Sequence, residues 1–460
     1  MASGGDHAAG GLTAGPGGRA LGAASVRPFR YRPFALLWAA GFVSTVGSWM
    51  QTVAVGALII SDTRSATWAV LAAAGGFLPI GILSPVGGAM ADRMARRPVL
   101  ITGNLVAAAT AAMIAILLAG GGTRPGVLVL LVTSQGAASA LIGPFGQAIL
   151  PDLVPREEFL GAISLNSAQF NLGRIVGPAL AGATVAAFGY PAAFWINALS
   201  FLAVVAVLPF IALSRPAGGT DGLGTSLRTG FAAAMAEPAC RNAIAAIGVV
   251  AFIASPFIAL VPVMARHLTS GDATSVAQVT AMLTTAQGVG AVLGALALAP
   301  LAVRFGRGAV LRWSLTLLPV TLIAYATSRS PWWGAGTLFL VGLVYIGVLS
   351  GLSTVVQLHA PAAYRGRVLS LFSVALGVSY PLGSMIQGPV IDRVGVGWDT
   401  AATAVLLSLV MAAVAIGRPR AMTALFAAAV PGRDPGQPAG RDRGPRPVAP
   451  EDDLADGSPA

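Results

Sequence analysis

The chain consists largely of long apolar segments, and each has about the length needed to cross a lipid bilayer. A membrane-spanning helix needs about 20 mostly apolar residues, and twelve segments of the 460-residue sequence meet this requirement. The segments are continuous rather than alternating, which indicates helices and not the strands of a barrel. We therefore predict an all-α integral membrane protein with twelve transmembrane helices, at 34–60, 66–90, 98–119, 126–149, 160–187, 192–213, 243–266, 276–301, 309–327, 332–357, 367–391 and 398–417.

The composition supports a membrane protein and argues against several classes of enzyme. Charged residues make up 10% of the chain, against about 25% in soluble proteins, and the mean hydropathy is +0.78. The 28 basic residues are all arginines. The lysine of a phosphate-binding loop is therefore missing, and direct use of ATP is not expected. The three histidines lie in a tail and at loop edges, so we expect no metal site, no cofactor and no enzymatic activity.

The distribution of arginines predicts the orientation in the membrane. If the amino terminus is cytoplasmic, five arginines fall in outer loops and one, Arg174, falls inside a helix, which leaves 22 of the 28 on the cytoplasmic side. The positive-inside rule favours this arrangement. We therefore expect a multi-pass protein of a bacterial cytoplasmic membrane with both termini in the cytoplasm. The tail arginines lie among acids and prolines, so nucleic-acid binding is not expected.

The sequence divides into two sets of six predicted helices at its longest polar interruption. A shift of 206 positions aligns Pro155 with Pro361 and Gly177 with Gly383. Parallel six-helix repeats are typical of transporters, whose substrate cavity lies between the two halves. We predict a disordered cytoplasmic amino terminus (1–30), a first six-helix bundle (31–213), a cytoplasmic linker (214–242), a second bundle (243–417) and a disordered cytoplasmic tail (418–460).

A charged loop between the second and third predicted helices is the first candidate functional site. It combines one acid with three arginines in a chain that otherwise almost avoids charge, and a partial copy lies between the eighth and ninth helices. One interpretation is a charge cluster that only fixes topology. The other is a gate that holds the two halves together in one state and releases them in another. The gating candidates are Gly88, Asp92, Arg93, Arg96 and Arg97, with Arg304, Gly306 and Arg307 in the copy, where Val303 replaces the acid.

These features resemble the major facilitator superfamily. Its loop motif reads roughly Gly-x-Leu-Ala-Asp-Arg-x-Gly-Arg-Lys/Arg, and this chain differs from it at Met90 and Ala95. The exporter signature of helix 5 is matched by Gly173, Gly177, Pro178 and Gly182, which pack helices closely or also bend helix 5 at the proline. Residues 143–155 and 364–368 resemble the branch of enterobactin exporters and macrolide-efflux proteins.

One departure concerns helix 4. Family members often carry an arginine three residues before a Gln-Gly pair, but this chain has Val132 before Gln135 and Gly136. The departure argues against the usual proton-coupled drug exporters.

The resemblance implies a secondary active transporter that exports a mid-sized amphipathic compound, such as a siderophore or a macrolide-like antibiotic, by alternating access. Two alternatives stay open: an importer of a small metabolite, and a non-transporting sensor or scaffold with the same fold. The expected partners are a small-molecule substrate and the lipid bilayer. A coupling proton or ion stays open because none of the 17 acids lies at the middle of a predicted helix. We expect a monomer.

Arg174 is the most informative single residue for the substrate. It lies near the middle of helix 5, where a charge costs roughly 2.5–3.5 kcal/mol on insertion scales and indicates function. It either bonds to backbone and amide groups or binds an anionic or electron-rich substrate. Other side chains at similar depth either pack between helices or line the cavity; they are Tyr380, the repeat mate of Arg174, together with Trp49, Gln51, Gln135, Phe252, Gln287 and Tyr345.

Overall fold

The computed structural model describes residues 26–122, 124–214, 223–269, 271–362 and 364–428, and in these ranges the only regular elements are α-helices and short 3-10 helices. We label the long helices α1 to α12 and divide α7 into two pieces. They are α1 (Arg32–Thr63), α2 (Ala66–Ala91), α3 (Arg96–Ala119), α4 (Pro125–Ala148), α5 (Phe159–Phe188), α6 (Tyr190–Val207), α7a (Pro238–Ile253), α7b (Phe257–Leu268), α8 (Ala273–Phe305), α9 (Arg307–Ala326), α10 (Pro331–His359), α11 (Arg365–Val394) and α12 (Val396–Gly417).

Eleven segments of the described chain, with α7 taken as one, are long and apolar enough to cross a membrane. The remaining long helix is α5, which carries the polar side chains of Asn166 and Gln169 in its first half and of Arg174 at its middle. Its 30 residues are more than the roughly 20 that a membrane span needs, and it packs against α1 and α8. The predicted all-α membrane fold is confirmed, and α5 occupies the position of the remaining predicted span.

Two predicted spans have different ends in the structure. The span predicted at 192–213 leaves the α-helix at Val207 and continues as a 3-10 helix, Leu208–Phe210, because Pro209 has no N–H group to donate. The span predicted at 243–266 begins earlier, at Pro238, and is interrupted at residues 254–256.

Parts of the predicted tails and linker are helical. Short helices occupy Arg27–Arg30 and Pro419–Ala428, so the prediction of disorder is wrong for these residues. Within the predicted linker, Leu223–Ala236 forms a helix, and its small and apolar residues explain why it folds against α11. The remainder of both predicted tails, residues 1–25 and 429–460, lies outside the described residues.

Short connections make consecutive helices run in opposite directions, so the loops form two faces. We call the face that carries the start of α1 and the end of α12 the terminal face. The loops after α2, α4, α6, α8 and α10 lie on it, and the loops after the odd-numbered helices up to α11 lie on the opposite face.

Helices α1–α6 and α7–α12 meet through two main helix pairs, α2 with α11 and α5 with α8. Small residues bring these pairs close together. A methyl group added to Gly81 would lie 2.8 Å from the carbonyl carbon of Gly377, and one added to Gly182 would lie 2.8 Å from Cβ of Ala281. Such contacts are how helices associate inside a membrane, where hydrocarbon surrounds them on all sides.

Candidate functional site

The predicted gate loop lies on the terminal face, at the end of α2. Asp92 is the C-cap residue of α2, where its backbone N–H donates to the Gly88 carbonyl at 3.3 Å. Its exposed carboxylate makes no side-chain hydrogen bond or ion pair within the described part of the chain. A methyl group added to Gly88 would meet nothing within 4 Å. In this conformation the loop therefore has open space around it.

Two arginines of the loop bond inside the first six helices. Arg96 forms a 3.0 Å salt bridge with Asp152, which also accepts a hydrogen bond from the Ser214 backbone at 3.1 Å. Arg97 donates to the carbonyl oxygen of Ile211 at 2.5 Å. These bonds join the start of α3 to the ends of α4 and α6, so they stabilise one half of the protein.

The partial copy of the loop is built differently. Gly306 joins α8 directly to α9 with a φ of +84°, a conformation that favours glycine. Arg304 lies over the ring of Phe305 at 5.4 Å, and Arg307 is the first residue of α9. Val303, at the position of the missing acid, is 90% exposed.

The four signature residues of α5 are buried and support close packing. Methyl groups added to Gly173 and Gly177 would lie 2.6 Å and 2.5 Å from side-chain carbons of Thr45 and Trp49 on α1. Gly182 faces α8 in the other half. The α-helix continues through Pro178 without an interruption.

The interruption of α7 creates polar groups between the helices. Pro256 has no N–H, and the α-helical hydrogen-bond pattern is interrupted at residues 254–256. The Gln387 amide on α11 donates to the freed carbonyl oxygen of Ile253 at 3.0 Å. The Ser255 hydroxyl lies 2.7 Å from the hydroxyl of Tyr345 on α10. Irregular backbone at this depth is tolerated where protein or a cavity surrounds it.

Arg174 lies beside an aromatic cluster that both halves contribute to. Its guanidinium carbon is 5.9 Å from the centre of the Trp49 ring, and Tyr345 of α10 lies nearby. Tyr380 lies near Tyr345, and its ring packs edge-on against Phe77 of α2 at 5.6 Å. Among the described residues no carboxylate forms an ion pair with Arg174.

The arrangement around Arg174 can bind an anion. A guanidinium with no carboxylate partner keeps its donors for a bound anionic group, and the surrounding rings provide apolar contact area. Four of the predicted cavity residues, Arg174, Trp49, Tyr345 and Tyr380, are therefore brought together.

Gln51 and Gln135 are placed elsewhere. Gln51 donates to Gln135 at 2.5 Å and accepts from the Asn197 amide at 2.6 Å, and all three side chains are buried. The Ser200 hydroxyl donates to Asn197 at 3.1 Å. This network joins α1, α4 and α6 inside the first half, so its side chains bond to one another.

The last two predicted cavity residues, Gln287 and Phe252, lie apart from each other on α8 and α7a. Gln287 on α8 is 1% exposed, and its amide nitrogen has no hydrogen-bond partner among the described residues. Phe252 is 39% exposed at the end of α7a, and its carbonyl oxygen lies against Gly383 of α11.

A cavity of about 310 Å³ lies within the first half, towards the terminal face. Its lining combines the aromatic residues Phe34, Trp38 and Phe170 with the polar side chains of Asn166 and Gln169. The Phe170 ring also packs edge-on against Trp49 at 5.7 Å, so the cavity wall continues to the ring beneath Arg174.

Asn166, Gln169 and Phe170 were not among the predicted site residues. One signal was available, because positions 166, 169, 170, 173 and 177 recur with helical spacing on one face of α5. The two glycines of this set contact α1. The polar residues near the start of the same face therefore line the space beside α1.

Together, the helical architecture and the polar groups between its halves define a multi-pass membrane protein with a transporter fold. Solved structures support this fold. A bacterial homologue of the human lysosomal transporter Spinster, in an inward-facing and unoccupied conformation, has a TM-score of 0.66 at 16% identity, covering 88% of this chain and 97% of that one. A POT family transporter in complex with 5-aminolevulinic acid has a TM-score of 0.67 at 10% identity, covering 85% and 96%.

The family model described as transmembrane secretion effector, one of the major facilitator families, matches residues 23–445, and the chain belongs to this family. The multidrug efflux pump Tap of Mycolicibacterium fortuitum is 26% identical over 391 residues, covering 82% of this chain and 93% of Tap. The enterobactin exporter EntS of Escherichia coli is 27% identical over 395 residues, covering 82% and 91%. The predicted superfamily is therefore confirmed.

Proposed function

We propose that the protein is a secondary active transporter that exports a mid-sized amphipathic compound with an anionic or electron-rich group. The observation that carries this proposal is the cluster of Arg174, Trp49, Tyr345 and Tyr380 between the two halves. It combines a cation that lacks a carboxylate partner with aromatic surface, and this chemistry suits an amphipathic anion.

The similar proteins support export as the direction of transport. Tap is named a multidrug efflux pump and EntS an enterobactin exporter, and both align with more than three quarters of this chain. A siderophore or a macrolide-like antibiotic is therefore the proposed cargo class. Import of a small metabolite and a role as a non-transporting sensor or scaffold are the alternatives that the experiments below separate.

The arginine distribution supports a cytoplasmic terminal face in a bacterial cytoplasmic membrane. In this conformation the halves are in contact on the opposite face, through Gly182 with Ala281 and through the Tyr190 hydroxyl with the carbonyl oxygen of Ala273 at 2.8 Å. The 310 Å³ cavity lies towards the terminal face. Cargo would enter from the cytoplasm beside Phe170 and reach Arg174, before the halves rock and release it on the opposite face.

The loop around Asp92 is the proposed gate of the terminal face. Helices α2 and α11 are antiparallel, and Gly81 packs against Gly377. Asp92 lies eleven residues after Gly81 on α2, and Gly366 lies eleven residues before Gly377 on α11. Asp92 is therefore level with Gly366, in the first turn of α11. A carboxylate is favoured at the amino-terminal end of a helix. Closure of the terminal face would therefore bring Asp92 to a stabilising position.

The first experiment measures transport in sealed vesicles that contain the purified protein. A labelled siderophore and a labelled macrolide are loaded on the terminal side, and an imposed proton gradient is compared with a sodium gradient. Gradient-driven movement towards the opposite face supports export. Movement only in the reverse direction supports the importer, and no movement under either gradient supports the sensor or scaffold.

A second experiment tests the topology on which the direction depends. Tags at residues 1 and 460 are expected to resist protease added outside intact cells, because both termini are proposed to be cytoplasmic. Cleavage of either tag by external protease, in cells whose membrane is intact, would contradict the orientation and with it the direction of export.

A further inference from the structure

Asp392, near the opposite-face end of α11, bonds to the beginning of α2 in the other half. Its carboxylate accepts hydrogen bonds from the Ser65 hydroxyl at 2.8 Å and from the Thr67 hydroxyl at 2.6 Å. It also accepts from the backbone N–H groups of Ala66 at 2.5 Å and Thr67 at 3.2 Å. Four hydrogen bonds accepted by one side chain thus connect the two halves.

These bonds replace a cap that α2 does not supply itself. The first N–H groups of a helix have no partner within the helix, and its amino-terminal end carries a partial positive charge. Ser65 occupies the N-cap position of α2, but its side chain makes no capping hydrogen bond there. Asp392 therefore does for α2 what an N-cap residue normally does, and it does so from the other half of the protein.

No ion pair contributes to this contact. The charged side chains next to it in sequence are Asp62 and Arg64 before α2 and Arg393 after Asp392. Within the described residues none of them forms a salt bridge with the Asp392 carboxylate. Since Asp392 lies at the exposed edge of the protein, water can take over its hydrogen bonds when the helices separate. The contact is therefore suited to repeated breaking and re-forming.

The contact belongs to a continuous helix–helix interface. Four residues along α2 from Ala66, Val70 packs against Gly388, which is four residues back along α11 from Asp392. Gly81, eleven residues after Val70 on α2, packs against Gly377, eleven residues before Gly388 on α11. Nearer the terminal face, methyl groups added to Gly88 or Gly366 would meet nothing within 4 Å. The helices are thus joined from the opposite face to Gly81.

We propose that Asp392 is a latch that holds the opposite face of the transporter closed and must release α2 before that face can open. The proposal rests on the alternating-access transport proposed above. Asp392 is a positioning residue in this process, since it acts on the relative placement of the two halves. Loss of its carboxylate increases the fraction of molecules that are open on the opposite face.

The test measures the distance between the two halves by pulsed electron paramagnetic resonance in the purified full-length protein without cargo. Spin labels are attached at Phe188→Cys and Trp398→Cys, in a background with Cys240→Ser. Both positions lie on the opposite face, in different halves, and are 77% and 78% exposed. A second pair, Leu160→Cys and Val303→Cys, reports the terminal face, where both positions are likewise exposed.

Asp392→Asn replaces one acceptor oxygen by a donor group and removes the negative charge at the start of α2. It is expected to raise the ratio of open to closed molecules on the opposite face by about two- to thirtyfold, the range for loss of capping hydrogen bonds. The second label pair should shift towards shorter distances. The double variant Ser65→Ala with Thr67→Val should give a smaller change in the same direction, because both backbone donors remain. This variant keeps the acid in place and provides a second test if Asp392→Asn accumulates poorly.

Asp272→Asn is the matched control. Asp272 also lies on the opposite face and accepts from the backbone N–H of Ser275 at 2.9 Å. Unlike the donors to Asp392, Ser275 belongs to the same half as the carboxylate that it bonds. Hydrogen bonds from Ser275 hold the pKa of the Asp272 carboxyl below its usual value, so the control removes a comparable charge. Unchanged distances in Asp392→Asn, or an equal shift in Asp272→Asn, would overturn the latch.

The distance measurement separates failure of the latch from failure of the proposed function. The labels report closure without cargo or a gradient. If the distances shift as expected in a protein that transports neither cargo, the latch stands and the transport proposal falls. If transport is normal and the distances do not respond, the latch alone falls.

Discussion

Replacing Arg174 by leucine tests the proposed cargo chemistry directly. The guanidinium lies 5.9 Å from the centre of the Trp49 ring, and no carboxylate pairs with it within the described chain. A hydrogen bond to a charged group contributes about 1.5–3 kcal/mol, which corresponds to roughly ten- to a hundredfold in affinity. The contact with Trp49 contributes about 0.5–2 kcal/mol whichever cargo is bound. Only the first contribution distinguishes an anionic cargo from a neutral one.

The assay compares dissociation constants of an anionic siderophore and an uncharged macrolide for the purified protein. Arg174→Leu is expected to weaken siderophore binding about ten- to a hundredfold and macrolide binding much less. Arg174→Lys should recover part of the affinity, because lysine keeps the charge but lacks the planar pair of donors. Thr184→Val on the same helix is the control, since the Thr184 hydroxyl has only a weak 3.9 Å contact with the Met50 sulfur.

An equal loss of affinity for both compounds would refute the reasoning and assign Arg174 to the scaffold. The same conclusion follows if siderophore binding is unchanged. If the leucine variant does not accumulate in the membrane, the lysine variant decides the question. A substrate role then predicts a larger loss for the siderophore than for the macrolide, and a structural role predicts no difference between them.

Three further predictions concern the gate, the buried amides and the helix contacts. Asp92→Asn should slow vesicle transport strongly at unchanged membrane abundance, whereas Val303→Asp should have a smaller effect; wild-type rates in Asp92→Asn would contradict the gate. Gln51→Leu should lower the free energy of unfolding by about 1–3 kcal/mol, because it leaves buried amides unpaired, without changing the ratio of siderophore to macrolide affinity. Gly383→Ala should destabilise the protein by about 1–3 kcal/mol through overlap with the Phe252 carbonyl. Gly336→Ala meets nothing within 4 Å and lies inside α10, so it should leave the melting temperature unchanged or raise it slightly.

The apolar lengths predicted the helices well, because burial in hydrocarbon requires a minimum length of continuous helix. They did not predict the interruption of α7. Pro178 lies inside the unbroken helix α5, and Pro319 lies inside α9 in the same way. A proline in the sequence is therefore not sufficient to predict a break. At the break, the freed carbonyl oxygen of Ile253 accepts from Gln387, and the Ser255 hydroxyl bonds to the Tyr345 hydroxyl. Both partners come from distant parts of the chain.

Side-chain depth could be read from the sequence, but side-chain direction could not. Gln51 and Trp49 are two residues apart on α1 and lie at similar depth, yet Gln51 bonds inside the first half while Trp49 lies under Arg174. The rotation of α1 about its own axis decides which of the two faces each half, and packing of α1 against α5 and α6 sets this rotation. Asp392 illustrates the same limit, since its sequence position at a helix end gives no indication that the start of α2 lies beside it.

The two proposed gating acids lie on the same pair of antiparallel helices, Asp92 at the end of α2 and Asp392 near the end of α11. The repeat shifts place Val303 opposite Asp92 and Ala186 opposite Asp392 in the other copy, so the α5–α8 pair lacks both acids. That pair meets through small residues such as Gly182 and Ala281, whose contact is short-ranged and carries no charge. Polar contacts that water can replace, and which break and re-form, are thus concentrated at α2 and α11. Opening of either face should therefore begin at this pair, with α5 and α8 following.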